Sequence, residues 1–222
     1  MSNDKSLTCI FLTLNKVPEG WARYHKSVLL EAVGDTPIIT ISKKPLDWGL
    51  NLIQEGEPSV NNIYKQLLRG CKLATTPYIA VIEDDTLYHK SHFTYRPPMD
   101  TYAYNMHRWG IFTWGTPTYY YKRRISNAAM IAPRELVIKS LEDRFEKYPD
   151  SDRISELGNE RGVRLEKYEI VNFYSDVSMV YFCHVNGLDP TERHESKKMS
   201  PIQAYDIKFW GKAQELVSHW YE

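Results

Sequence analysis

TPYIAVIEDDTLYHKSHF, residues 76–93, decides how this chain reads. Tyr78 to Ile82 is an apolar run of strand length, and it leads straight into Glu83, Asp84 and Asp85. Adjacent carboxylates at the mouth of a buried strand repel one another, unless a cation or a hydrogen-bond donor shares the charge. The acids are therefore either a plain solvated turn or one side of a binding site. On an extended segment residues i and i+2 point the same way, so Glu83 and Asp85 are expected to face one side of a cleft and Asp84 the other.

Upstream, LTCIFLTLN (7–15) is a second apolar run and reads as a buried strand. Residues 21–33 place Trp21, Tyr24, Val28 and Ala32 at helical spacing, and Gly34 follows as a stop. TPIITIS (36–42) is a short β-branched strand, and residues 43–58, rich in Pro, Gly and charge, read as loop. Ser59 is suited to cap a helix whose inner face is Val60, Ile63, Leu67, Cys71 and Ala74. Strands alternating with helices predict an α/β fold with a mostly parallel sheet, here in a single domain. Ligands of such sheets bind beyond the carboxyl ends of the strands. The acidic residues fall there, with Thr13 and Asn15 close by.

Downstream, residues 88–121 are aromatic and lack clear periodicity. SNAAMIAP (126–133) resembles a strand, a helix follows to Tyr148, and residues 153–167 suggest a short helix. Residues 168–185 read as two strands or one kinked strand, 186–200 as a charged loop, and about 202–221 as a terminal amphipathic helix.

Composition narrows the partners. Lys+Arg and Asp+Glu are both 28, so the net charge is zero and no bulk attraction to a polyanion is expected. Tyr121-Lys122-Arg123-Arg124 is the one basic cluster, able to meet phosphates, those of DNA included, or to be plain surface. No apolar run approaches the ~20 residues of a membrane span, and MSNDKSL carries no secretory signature. Cys9, Cys71 and Cys183 lie far apart in apolar patterns, which predicts buried reduced thiols and a cytoplasmic protein.

LRGCKLATTPYIAVIEDD (68–85) resembles the segment that leads into the metal-binding D-x-D motif of GT-A glycosyltransferases, especially family-2-like ones. Gly70, Ala74, Tyr78, Ile79 and Asp85 match that pattern; Glu83 replaces the first Asp, and Leu68 stands where the family often has Asn. ISNAAMIAPREL (125–136) is similar to the strand-then-Arg-Glu segment that follows the acceptor loop. The resemblance implies a GT-A-like, Rossmann-like, mixed and mostly parallel sheet flanked by helices. Residues up to about 87 would form the nucleotide-sugar half and 88–222 the acceptor half with a closing loop and helix. It also implies a metal-dependent transfer of a hexose or pentose from a nucleotide-diphosphate sugar to an acceptor hydroxyl.

In that scheme Asp85 would bind Mn²⁺ or Mg²⁺, and Glu83 and Asp84 would contact ribose or metal-bound water. Thr13, Asn15 and Lys43 would frame the base. His184, in FCHVNG, would be the second metal ligand; a His–carboxylate–diphosphate set suits Mn²⁺. Arg193, His194, Lys197 and Lys198 form a basic loop that would close over the diphosphate, or a solvated surface loop. Of the many rings between Tyr88 and Tyr121, at least half are expected to fill the core. Trp109 and Trp114, beside turns at Gly110 and Gly115, are the preferred acceptor contacts.

An inverting transferase needs a carboxylate base. The family-2-like Glu-Asp pair is replaced here by Arg153-Ile154, which leaves Asp152, Glu156 and Asp176 as candidates and a retaining course open. A nucleotidyltransferase is the nearest rival, although LNKVPEGW lacks the Gly-rich basic loop it would need after the first strand. A non-catalytic nucleotide-sugar-binding module is another. The acceptor is left open between a saccharide, a protein and a modified nucleic-acid base.

Overall fold

A computed structural model of the chain describes residues 6–150, 168–187 and 200–222. The first half builds β1 (Leu7–Thr13), α1 (Glu19–Val33), β2 (Ile38–Ser42), β3 (Leu50–Ile53), α2 (Val60–Leu73) and β4 (Tyr78–Glu83). Beyond the acidic turn come β5 (Thr86–Leu87), β6 (Thr101–Asn105), β7 (Arg108–Phe112) and β8 (Tyr119–Tyr121). They are followed by β9 (Met130–Pro133), α3 (Arg134–Lys147), β10 (Glu169–Phe173) and β11 (Met179–Cys183). The end of the chain holds β12 (Gln203–Ala204), β13 (Asp206–Ile207), β14 (Gly211–Lys212) and the short α4 (Ala213–Ser218).

The main sheet runs β10-β6-β9-β4-β1-β2-β3. β9 is antiparallel to both of its neighbours and the other pairs are parallel. The fold is thus the expected mixed, mostly parallel α/β sheet flanked by helices. A second sheet runs β12-β8-β7-β11-β5. β4 belongs to the first sheet and β5 to the second, so the chain crosses between sheets at Asp84 and Asp85. This corrects the expectation of an extended segment there: the residues form a tight turn.

The helices dock as their apolar stripes dictate. Ser59 caps α2 by accepting from Asn62 N at 3.0 Å. Leu67 and Cys71 then pack with Ile10 and Ile41 of the sheet in one buried cluster. On α1 the buried stripe is Trp21, His25, Leu29 and Val33, while Tyr24, Val28 and Ala32 are partly buried at its margins. The cysteines are buried free thiols, as expected.

Three stretches depart from the sequence reading. The presumed loop 43–58 contains the edge strand β3. Asn51 folds it back, accepting from Leu46 N at 2.9 Å and donating to Ser42 Oγ at 2.9 Å. The aperiodic 88–121 region holds three strands, because both faces of β6 are buried and no alternation survives. The terminal helix shrinks to Ala213–Ser218. Phe209 and Gly211 sit at φ 78° and 73°, which turns the chain into the β13–β14 hairpin instead.

Gly70 sets how closely α2 lies on the sheet. A Cβ at that position would stand 2.8 Å from Ile10 Cγ2 and 3.3 Å from Ile41 Cδ1. Gly70→Ala is expected to cost about 1–3 kcal/mol of overpacking, against a helix-propensity gain of about 1 kcal/mol. Urea denaturation should show a lower midpoint; an unchanged or raised midpoint would mean that α2 has room to shift.

Candidate active site

The acidic turn is fixed through its backbone. Glu83 N donates to Tyr88 Oη at 3.1 Å, and Trp21 Nε1 donates to Asp84 O at 2.8 Å. Phe182 N donates to Asp85 O at 2.7 Å, and His25 Nε2 pairs with Thr86 O at 2.9 Å. Helix α1 thus braces the turn from behind, and β11 holds it from the side. Thr13, at the end of β1, donates its hydroxyl to Asp84 Oδ2, a contact set by the register of Leu12 with Glu83. Thr86 Oγ1 donates to Asp85 Oδ1 at 3.1 Å.

The same pairing delivers His184. β11 runs antiparallel to β5 with Tyr181 opposite Thr86, so the residue that follows Cys183 passes beside Asp85. His184 Nε2 lies 3.6 Å from Asp85 Oδ2. Its ring is buried and packs 4.8 Å from Trp220, just beyond α4.

These groups edge a cavity of about 380 Å³ at the carboxyl ends of β1, β2 and β4, within the usual range for small-ligand sites. Glu83, Asp84, Asp85 and His184 line one part. Ile41, Val60, Ile63 and Leu67 make an apolar slot against α2, with Tyr64 beside them. Arg108, Lys122 and Arg124 bring positive charge to the lining.

Burial pushes the Glu83 carboxyl up to about 8, with Asp85 and then Asp84 adding repulsion. Burial and the Asp85 charge push Asp84 up to about 7, opposed by the Thr13 hydrogen bond. Desolvation likewise lowers Arg108 from its ordinary value.

Of the residues singled out in the sequence, Thr13, Glu83, Asp84, Asp85 and His184 converge on the cavity. Asn15 and Lys43 do not line it. Asn15 accepts from Lys44 N at 2.8 Å and shapes the loop rather than a base site, and Lys43 is exposed. Asp176 is exposed outside the cavity, close enough to His89 for its charge to be felt there.

Trp109 and Trp114 also lie outside the lining. Trp109 packs edge-on to Tyr121 at 5.2 Å, and Trp114 edge-on to Phe112 at 5.1 Å. Gly110 is not in a turn but within β7. Tyr88, His92, Phe93, Tyr102, Tyr104, Phe112, Tyr119 and Tyr120 are core, in line with the expectation that at least half of the rings fill it. Asp152, Glu156, Arg193, His194, Lys197 and Lys198 fall outside the described residues.

Sequence reasoning missed Arg108 and Tyr181 as lining residues. A charge opening the otherwise apolar RWGIF was the available signal for Arg108. For Tyr181, one ring in an apolar strand, there was none.

Among the described residues no three His, Cys, Asp or Glu side chains converge to hold a metal by themselves. Asp85 and His184 do suit a shared ion. Two donors each about 2.1 Å from one cation, at a right angle or wider, stand roughly 3 Å or more apart, and these stand 3.6 Å apart.

The pH dependence of stability follows in sign. Glu83 and Asp84 hold protons in the folded state that they lose on unfolding, so their stabilisation is full below their ordinary values of 4.5 and 3.8 and disappears as pH rises through about 8 and 7. Burial lowers His25 to about 4 and His92 to about 3, so their contribution is full above 6.5 and is lost as pH falls through those values. The two effects oppose each other between about 3.8 and 6.5, and from 6.5 to 8 the acids act alone. Ligand-free protein is therefore expected to lose stability from pH 6.5 to 8, and Glu83→Gln to flatten that limb. Denaturant midpoints across this range would read it, and a flat wild-type limb would contradict it.

No protein-family model matches the sequence, and no curated protein matches it. Solved structures of similar fold include the following. A glycosyltransferase involved in the glycosylation of the major capsid of PBCV-1 is 12% identical, with 85% of this chain and 98% of that one covered and a TM-score of 0.44. HddC from Yersinia pseudotuberculosis is 13% identical, with 86% and 99% covered and a TM-score of 0.45. The galactosyltransferase LgtC, in complex with donor and acceptor sugar analogs, is 10% identical, with 91% and 98% covered and a TM-score of 0.42. At these scores the likeness is loose, and the functional reading rests on the site itself.

Proposed function

We propose that the chain is a glycosyltransferase that moves a sugar from a nucleotide-diphosphate sugar to an acceptor hydroxyl. One observation carries this reading: a rigid acidic turn and a histidine share one cavity with an apolar slot, at the carboxyl ends of the parallel strands. A divalent cation, Mn²⁺ or Mg²⁺, would be held by Asp85 and His184 and would supply positive charge to the donor's diphosphate.

The chain's own residues do the rest. Ile41, Val60 and Ile63 offer the base an apolar surface. Thr13 holds Asp84 in one orientation, so that Asp84 and Glu83 can accept from ribose hydroxyls. The braced turn keeps these acceptors in place with little reorganisation, which is where such sites gain most. In the transfer the acceptor oxygen bonds to the anomeric carbon. The bond from that carbon to the phosphate oxygen breaks, and its electron pair leaves with the nucleoside diphosphate. The hydroxyl proton passes to a base, for which Asp152 and Glu156 are the candidates, since Asp176 lies outside the cavity.

A thermal-shift titration with UDP and UDP-glucose, with and without MnCl₂, tests this. A Mn²⁺-dependent rise in Tm is expected, about 2.7 kcal/mol of added stability at ligand a hundredfold above Kd. Asp85→Ala should abolish the rise and reduce release of nucleoside diphosphate by about 10²-fold or more. A rise without any release would mark a binding module. An equal rise in EDTA and in the variant would remove the metal-assisted reading.

A further inference from the structure

The β7–β8 hairpin carries two cations on paired positions. Trp109 pairs with Tyr121, which brings Arg108 opposite Lys122, and Lys122 N donates to Arg108 O at 2.8 Å. Both residues are buried, at 5% and 7% exposure, and both line the cavity. Like charges opposite each other destabilise a strand pair, and burial raises the cost. Gly110 makes the arrangement possible. A Cβ there would stand 2.1 Å from Lys122 Cε and 2.9 Å from its Nζ, so the lysine lies flat across β7 only because residue 110 has no side chain. Arg108 Nη2 donates to Arg124 O at 2.8 Å. Its buried Nε has no hydrogen-bond partner among the described residues. A buried guanidinium with an unused donor and a second cation on the same wall of the cavity suit an oxyanion there.

The hairpin faces the acidic turn across β11, with β7 on one side of that strand and β5 on the other, about two strand spacings or roughly 9–10 Å. β7 pairs in parallel with β11, Arg108 beside Met179 and Ile111 beside Phe182, and Phe182 N is bonded to Asp85 O. The backbone of Arg108 therefore lies three positions back along β7 from the level of Asp85, roughly 10 Å at about 3.3 Å per residue, while its charge is still felt at Glu83 and the Lys122 ammonium reaches forward over Gly110 to within 5.9 Å of the Phe112 ring. A diphosphate centred on Asp85 and His184 leaves these cations to whatever lies beyond it, the sugar and the acceptor.

We propose that Arg108 and Lys122 form a second anion subsite, which takes a carboxylate or phosphate carried by the transferred sugar or by the acceptor, apart from the donor's diphosphate. The subsite relies on the glycosyltransferase reading for what its anion belongs to, and not for its existence.

Inorganic phosphate is the probe, titrated calorimetrically into the full chain, alone and with saturating UDP and MgCl₂. Phosphate is expected to bind in both cases. Arg108→Met should weaken it about tenfold or more, the worth of a charge-assisted hydrogen bond. Gly110→Ala, which keeps both charges and displaces the lysine, should weaken it too and guards against a misfolded Arg108 variant. Displacement of phosphate by UDP-glucuronate but not by UDP-glucose would place the anion on the sugar, and displacement by neither would place it on the acceptor. Absence of phosphate binding, indifference to both substitutions, or displacement by UDP alone would overturn the subsite. Arg108-dependent phosphate binding in a protein that ignores UDP would instead overturn the nucleotide-sugar reading and leave the subsite standing.

Discussion

The molecule turns on the passage between its two sheets, where Asp84 and Asp85 carry the chain from β4 to β5. Both backbone carbonyls of that turn are taken, one by the Trp21 indole and one by Phe182 N. The carboxylates therefore cannot relieve their repulsion by swinging the backbone away. They are left half-buried, close together and short of positive charge; among the described residues their one ion-pair contact is with His184. A protein keeps such an arrangement when a ligand completes it, because groups fixed beforehand cost nothing to orient when the ligand arrives.

Charge is separated within the cavity even though the whole chain is neutral. The acids sit on the β4–β5 turn, while Arg108, Lys122 and Arg124 come from the β7–β8 hairpin and its exit and Lys16 from just beyond the end of β1; the parallel pairing of β7 with β11 ties turn and hairpin together. An elongated ligand with a cation at one end and an anion at the other meets both without crossing its own like charge. The apolar slot beside α2 gives such a ligand a third, uncharged contact. The same design explains why so many aromatic residues are spent as support. Trp21, Phe182 and Trp220 stack behind the turn and the histidine, fixing them without adding charge.

Much of this was legible in the chain. The alternation of strand and helix through residue 83 marked β1, β2 and β4 and the parallel sense of the main sheet, and carboxylates closing an apolar strand marked one wall of the cavity. His184 stood out as a polar residue following a run of apolar ones. What stayed hidden depended on pairings that no local pattern records. β3 is four residues long and embedded in Pro, Gly and charge. β6 is buried on both faces, so its alternation vanishes. Asn15 looked like a ligand contact because a loop asparagine and a binding asparagine have the same sequence appearance; only the bond to Lys44 N tells them apart. Arg108 and Lys122 became neighbours through a hairpin that the aromatic crowding of 109–121 disguised.

Manganese anomalous scattering from crystals grown with UDP and MnCl₂ tests the central claim most directly. One strong peak is predicted between the Asp85 carboxylate and the His184 imidazole, with the diphosphate completing its ligand shell and the base in the slot against α2. A nucleotide bound with the metal elsewhere, or with no metal, would contradict it.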